Sequence, residues 1–147
     1  CYVVRAGWMI GGGPKEKKFV GKILSQIRSG ARTLRAVNDK LGSPTYAKDL
    51  LRGVRKVIET GYCGTYHMVN MGVCTRYDVA VEVVRILDVD VRIEPVSSAY
   101  FPLPAPRAHS EALRNFKAEL LGHKWMRPWL DALRDYLIGE LGWSRRD

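Results

Sequence analysis

Short strand-like runs alternate with stretches of helical periodicity along the whole chain, and this alternation restricts the fold more than any other feature. Tyr2-Val3-Val4-Arg5-Ala6 reads as a short buried strand ending at Gly7, and Gly11-Gly12-Gly13-Pro14 is a clear breaker after it. Phe19, Val20, Ile23, Leu24 and Ile27 then recur at the spacing of one helical face, closed by Gly30. Leu34-Arg35-Ala36-Val37 reads as a strand that leads into a loop at Asn38-Asp39-Lys40. Ser43-Pro44 predicts the start of a second helix, with Ser43 as N-cap and Pro44 in a first turn where its missing N–H would be unpaired anyway. Leu50, Leu51, Val54, Val57 and Ile58 give that helix its apolar face, and Gly61 ends it.

The same rhythm continues to the end of the chain. Thr65-Tyr66-His67-Met68-Val69 reads as a strand, and Thr75-x-x-Asp78 as a capping-box start for a third helix with Tyr77, Ala80, Val81, Val84 and Leu87 inward. Val91-Arg92-Ile93 is a strand candidate. Pro95, Pro102, Pro104 and Pro106 follow, which excludes central strand and helix interior. Pro128 opens a last helix with Leu130, Leu133, Leu137 and Leu141 on one side. Strands alternating with helices imply an α/β fold with parallel pairing. The length of 147 residues suits one domain, and neither a linker nor a repeat divides it.

Composition narrows the partners. An apolar fraction of 46% and a charged fraction of 27% are those of a globular protein. Apolar runs stop far short of the roughly 18–20 residues that span a bilayer, so no membrane partner is expected. The net charge of +9 favours acidic partners: nucleic acid, anionic membrane or a phosphate-bearing small molecule. The basic residues are spread out, however, and neither an aromatic–basic RNA motif nor a helix-turn-helix signature accompanies them, which makes a nucleic-acid-binding domain the weaker alternative. Cys1, Cys63 and Cys74 do not form a secreted disulfide framework, so a reducing cytoplasm is the expected location. The spacing of Cys63, His67 and Cys74 matches no zinc pattern, and no metal site is expected. The start at Cys1, without Met or a signal-peptide pattern, reads as though cut from something longer.

The chemistry of a dinucleotide enzyme is missing from the pattern. A dinucleotide fingerprint needs Gly-x-Gly-x-x-Gly after the first strand so that backbone can approach a pyrophosphate. Gly11-Gly12-Gly13 is followed by Pro14-Lys15-Glu16 instead, and a plain turn is the simpler reading, with phosphate binding as the alternative. None of the seven tyrosines has a lysine four residues on, so the proton-donating pair of a reductase is absent and no catalytic residue is assigned.

The distinctive string is Asn38-Asp39-Lys40-Leu41-Gly42-Ser43-Pro44-Thr45-Tyr46-Ala47-Lys48-Asp49-Leu50. It resembles the substrate-binding part of the dTDP-4-dehydrorhamnose reductase family, within the extended short-chain dehydrogenase/reductases, which carries Asp-Gln-x-Gly-Ser-Pro-Thr followed by Tyr/Ala and Asp-Leu. Val4-Arg5-x-Gly7-Trp8-Met9-Ile10-Gly11, Lys18-Phe19-Val20, Gly64-Thr65-Tyr66-His67-Met68 and Pro104-Ala105-Pro106-Arg107 are similar to further family segments in the same order. The resemblance implies the carboxy-terminal, substrate-binding part of a Rossmann-type enzyme, with the Rossmann core mostly absent. Residues 1–13 would be a late strand of the cofactor domain and residues 14–147 the substrate-binding domain.

The resemblance further implies a nucleotide-sugar ligand, with NAD(P) held by the intact enzyme and not by this chain alone. The chain would then bind and not catalyse; a non-catalytic regulatory module of the same family is the alternative. Arg107 is suited to grip phosphate in a bidentate manner, or is a surface arginine after a turn. Gly42, Ser43 and Thr45 would offer an anion site at a helix N-terminus, unless Ser43 is simply a cap. Trp8 would stack on a base or sugar, or belong to the core. Asp49 reads as structural. Lys18, Lys40 and Ala108 depart from the family's Asn, Gln and Pro, and the two lysines add positive charge near the expected site. The first strand would leave a sheet edge exposed, which calls for a homodimer through that edge or a rearranged amino-terminal segment.

Overall fold

The computed structural model describes residues 1–102, 104–105 and 107–143. Pro106, part of the proline-rich segment above, lies outside the described residues. The elements alternate as the periodicity requires: β1 (Tyr2–Arg5), β2 (Trp8–Ile10), α1 (Phe19–Arg28), β3 (Thr33–Val37), β4 (Leu41–Gly42), β5 (Pro44–Tyr46) and α2 (Ala47–Thr60). Then come β6 (Gly64–His67), β7 (Cys74–Thr75), α3 (Arg76–Leu87), β8 (Arg92–Val96), β9 (Ser110–Glu111), α4 (Phe116–Leu120) and α5 (Trp129–Arg134). The last helix continues as a π-helical turn over Asp135–Glu140.

Pairing is parallel between β1 and β6, β2 and β5, β3 and β8, and β4 and β9; among the described residues only β4 and β7 run antiparallel. Each parallel pair is joined by a crossover that includes a helix, the connection that parallel strands need. Residues 2–10 are thus built into the same framework as the later strands. Among the described residues the second edge of β1 has no strand partner.

The helices bury one face each. Val20, Ile23 and Leu24 of α1, Val79 and Val83 of α3, and Leu133 and Leu137 of the last helix meet over Leu34 in the main core. A smaller core joins Val57, Tyr66, Met68 and Met126, with Tyr2 and Val4 of β1 against it. Thr75 and Asp78 form the expected capping box, each bonding the other's backbone N–H.

Five details differ from the sequence expectation. Ser43-Pro44 does not start a helix: Pro44–Tyr46 is β5, and α2 begins only at Ala47. The ladder to β2 claims this segment, with Trp8 N–H donating to the Ser43 carbonyl at 2.9 Å. Proline is tolerated there because it is the first residue of the strand. On α2, Leu51 and Ile58 are 68% and 54% exposed, while Gly53 is buried against Met68. On α3 the innermost residues are Val79 and Val83 instead of Val81 and Val84. Pro95 lies inside β8, which pairs with β3 alone among the described residues, so an edge position accommodates it. β1 is also only half-buried, with Val3 46% exposed.

A polar cluster around Asp49 lies within this apolar frame. The Asp49 carboxylate, its side chain 7% exposed, accepts two bonds from Arg127, Nε at 2.8 Å and Nη2 at 3.0 Å, and one from Asn70 at 2.9 Å. Arg127 Nη2 also reaches Asp135 at 2.7 Å. The Asp49 carboxylate holds the guanidinium charged, raising its pKa further above the usual arginine range against the opposing effect of burial. Arg127→Ala leaves a buried carboxylate short of its main partner, and the expected cost is about 3 kcal/mol. Chemical denaturation would read it as a lower midpoint at unchanged slope.

Candidate functional site

The site grows out of the bend between β1 and β2. Gly7 sits at that bend with the Ser43 carbonyl 2.1 Å from where a Cβ would stand, so no other residue fits. The Gly7 N–H donates to Thr45 Oγ1 at 3.1 Å. Ser43 and Thr45 are both fully buried. Ser43 Oγ accepts the Leu113 N–H at 3.2 Å. These two hydroxyls are therefore engaged inside the protein, and with α2 starting at Ala47 they do not frame a helix N-terminus. Their place is behind the site, where they hold β2 and the segment around Leu113 in position.

Trp8 follows directly. Its indole Nε1–H donates to Glu111 Oε2 at 2.8 Å. Gly42 lies against its ring, and a Cβ there would stand 2.2 Å from ring atoms. The Arg76 guanidinium lies over the same ring at 4.3 Å and over Phe19 at 4.9 Å. Trp8 is thus a fixed platform already carrying a cation.

Around that platform is a cavity of about 250 Å³ whose lining includes Trp8, Lys40, Arg76, Phe101, Arg107 and Glu111. Lys40 Nζ donates to the Arg107 carbonyl at 3.1 Å, joining the two basic segments. Asp39 ties down the opposite wall: its carboxylate accepts the Ser98 N–H at 3.0 Å and both the Ser97 and Ser98 hydroxyls. The bond from the Ser98 N–H is the main reason its pKa lies below the usual aspartate range.

Three cations face one carboxylate here. Burial lowers the pKa of Arg76, the nearby Glu111 and Cys74 oppose that, and Arg107 adds like-charge repulsion. Among the described residues no carboxylate stands within ion-pair distance of Arg76. Such a set can hold an anion against an aromatic wall. Cys74 is a core thiol, pushed up to about 12 by burial, and offers no nucleophile.

Of the residues expected from sequence, Trp8, Lys40 and Arg107 meet at the cavity, and Gly42 seats the Trp8 ring. Ser43 and Thr45 stand behind it. Lys18 is exposed at the start of α1, beside the Phe19 that Arg76 touches, and does not line the cavity. Arg76 and Glu111 were not anticipated. Arg76 had a readable signal: it is the first residue of α3, where the helix dipole disfavours a cation. Glu111 had none.

The glycine cluster does not fit a dinucleotide. Gly11, Gly12 and Gly13 all take positive φ, at 106°, 103° and 55°. The Gly12 N–H, however, donates to the Glu140 carboxylate at 2.9 Å, and Tyr46 and Lys48 hold the same acid at 2.7 and 3.0 Å. A carboxylate of the chain itself occupies the place of an anion.

The geometry is thus a parallel α/β frame whose loops gather three cations around a fixed aromatic ring. The family model described as RmlD substrate binding domain matches residues 1–140, and the chain belongs to that family. The dTDP-4-dehydrorhamnose reductase of Mycobacterium tuberculosis strain H37Rv is 37% identical over 133 residues, covering 89% of this chain and 43% of that protein. The crystal structure of dTDP-4-dehydrorhamnose reductase from Yersinia enterocolitica superposes with a TM-score of 0.86 at 39% identity, over 95% of this chain and 49% of that one. The Bacillus anthracis enzyme of the same name, in complex with NADP, gives 0.83 at 28% identity, over 94% and 48%. The chain spans about half the length of the relatives it matches. Among the described residues no helix is long and apolar enough to cross a membrane.

Two outcomes test this geometry. Gly42→Ala forces the Trp8 ring off its seat, costing about 1–3 kcal/mol as overpacking does; a red-shifted tryptophan emission and a lower melting temperature would report it. Asp39 has a folded-state pKa below its unfolded one, so its clamp is fully present above the ordinary aspartate range and is lost as pH falls through the lowered value. The protection of the Ser98 amide against exchange, relative to the intrinsic rate at each pH, is expected to fall on acidification through that lowered value, and Asp39→Asn to remove this pH-dependent change in protection.

Proposed function

We propose that this chain is the nucleotide-sugar-binding part of an NAD(P)-dependent reductase of the dTDP-4-dehydrorhamnose reductase type, and that it does not catalyse reduction alone. The observation that carries the reading is the cavity beside Trp8, where Lys40, Arg76 and Arg107 outnumber Glu111. An excess of two positive charges suits the diphosphate bridge of a nucleotide-sugar. A volume of about 250 Å³ lies below the roughly 300–1,000 Å³ of a complete small-molecule site, so the cavity accounts for part of such a ligand. Residues 1–13 are read as a strand of the cofactor domain and residues 14–147 as the substrate domain.

In this reading NAD(P) and the proton donor belong to the part of the enzyme outside this chain. The NADP complex of the Bacillus anthracis relative supports the cofactor. Glu140 on the glycine turn supports the absence of a dinucleotide site here. The role of these residues is to hold the ligand's anionic bridge, while Trp8 and Phe101 shield one side from water. A homodimer through the free edge of β1 belongs to the same reading, supported by the missing strand partner among the described residues.

Calorimetry on the 147-residue chain tests it. dTDP is expected to bind, with affinity falling as salt rises, and NADPH to give no stoichiometric binding. Sedimentation of the same sample should show a dimer. Stoichiometric NADPH binding, or the absence of dTDP binding, would overturn the reading.

A further inference from the structure

We infer that Arg76 is the residue that selects a diphosphate in this cavity, its guanidinium held over the Trp8 and Phe19 rings and sharing the cavity with Arg107 as an open seat for the anion. The inference rests on the nucleotide-sugar reading and deepens it, because it assigns the ligand's charged bridge to one residue that family resemblance did not point to.

The argument begins with what Arg76 costs where it stands. It is the first residue of α3, against the positive end of the helix dipole. It is half-buried, and a neighbouring arginine repels it. A lysine or arginine at such a place normally finds a carboxylate. The nearest candidate is Glu111, and Glu111 is turned to the Trp8 indole instead, at 2.8 Å. Arg76 is left with two aromatic rings, 4.3 and 4.9 Å from its guanidinium carbon, which stabilise its charge, and among the described residues its guanidinium N–H groups make no hydrogen bond. Free N–H donors along a guanidinium edge are what grips two phosphate oxygens together.

The surrounding residues lead to the same ligand. Arg107 also lines the cavity, with no ion pair among the described residues, and Lys40 anchors that segment by its carbonyl. One phosphate would satisfy one guanidinium; a diphosphate can satisfy both. The Trp8–Glu111 bond makes Glu111 a positioning residue. By keeping the acid on the indole it keeps the acid off Arg76.

The test compares dTDP with thymidine, which shares the base and sugar and lacks the phosphates. Three forms of the 147-residue chain are needed: wild type, Arg76→Met, which keeps an apolar stem on the two rings, and Arg76→Lys, which keeps a charge without the planar edge. Arg76→Met is expected to bind dTDP at least about tenfold more weakly, with thymidine unchanged within twofold. Arg76→Lys should fall between. The fall of dTDP affinity with rising salt should be shallower in Arg76→Met than in wild type. Thermal melts confirm that each variant folds, and should Arg76→Met fail to fold, Arg76→Lys against wild type gives the same comparison. Arg76→Met (or, in its place, Arg76→Lys) binding dTDP within twofold of wild type would sink the assignment while leaving the broader reading standing. Equal losses for dTDP and thymidine would show a packing role and sink it too. A wild type that binds no dTDP overturns both.

Discussion

The buried amide of Asn70 sets the geometry on which the rest depends. The side chain is fully buried, and all three of its hydrogen bonds cross between elements. Its Oδ1 accepts the Tyr46 N–H at 2.8 Å, and its Nδ2 donates to Asp49 at 2.9 Å and to the Arg127 carbonyl at 3.1 Å. Its own N–H reaches the Pro44 carbonyl at 3.2 Å. A buried amide left short of partners is costly, so each bond constrains its neighbour. Residues 44–46 are thereby held extended until Ala47, and only then does α2 begin. An extended β5 is what lets β2 pair beside it, and β2 is what delivers Trp8 to the cavity.

The cavity itself combines two opposing tendencies. Its walls come from segments that the backbone joins firmly: β4 pairs with β9, Asp39 clamps Ser98, and Lys40 binds the Arg107 carbonyl. Its charges, by contrast, repel one another. Packing fixes the positions of cations that electrostatics alone would separate, and such an arrangement is preorganised for an anion. The ring of Trp8 mediates between the two tendencies, because it packs on Gly42, anchors Glu111 and carries Arg76 at once.

Much of this was legible in the residues. The periodicity of Phe19 to Ile27 yielded α1, Thr75 and Asp78 yielded the start of α3, and the alternation yielded a parallel α/β frame. The string from Asn38 to Leu50 led to the right family and, through Lys40 and Gly42, to two of the parts around Trp8. The failure at Ser43-Pro44 has a definite cause. Local capping chemistry favours a helix there, but Asn70 lies more than twenty positions away in sequence and competes for the same backbone. Arg76 and Glu111 were missed because their meaning depends on Trp8, which approaches them only in the folded chain. The exposed Leu51 and Ile58 show the limit of periodicity, since the helix rotated to admit Gly53 against Met68.

The relation between cavity size and chain length carries the argument one step further. The described cavity is too small for a whole nucleotide-sugar, and the chain spans about half the length of its relatives. On the proposed reading these are one fact. Every nucleoside-diphosphate sugar carries the same diphosphate, and a rigid set of arginines can hold it whatever sugar is attached. Discrimination among sugars then falls to contacts made beyond this cavity. On the same reading, a substitution such as Lys40 for the family's glutamine would act on how strongly the anion is held and not on which sugar is attached to it. The binding half can accordingly accumulate charge, as Lys18 and Lys40 show, without redefining the reaction that the other half would perform.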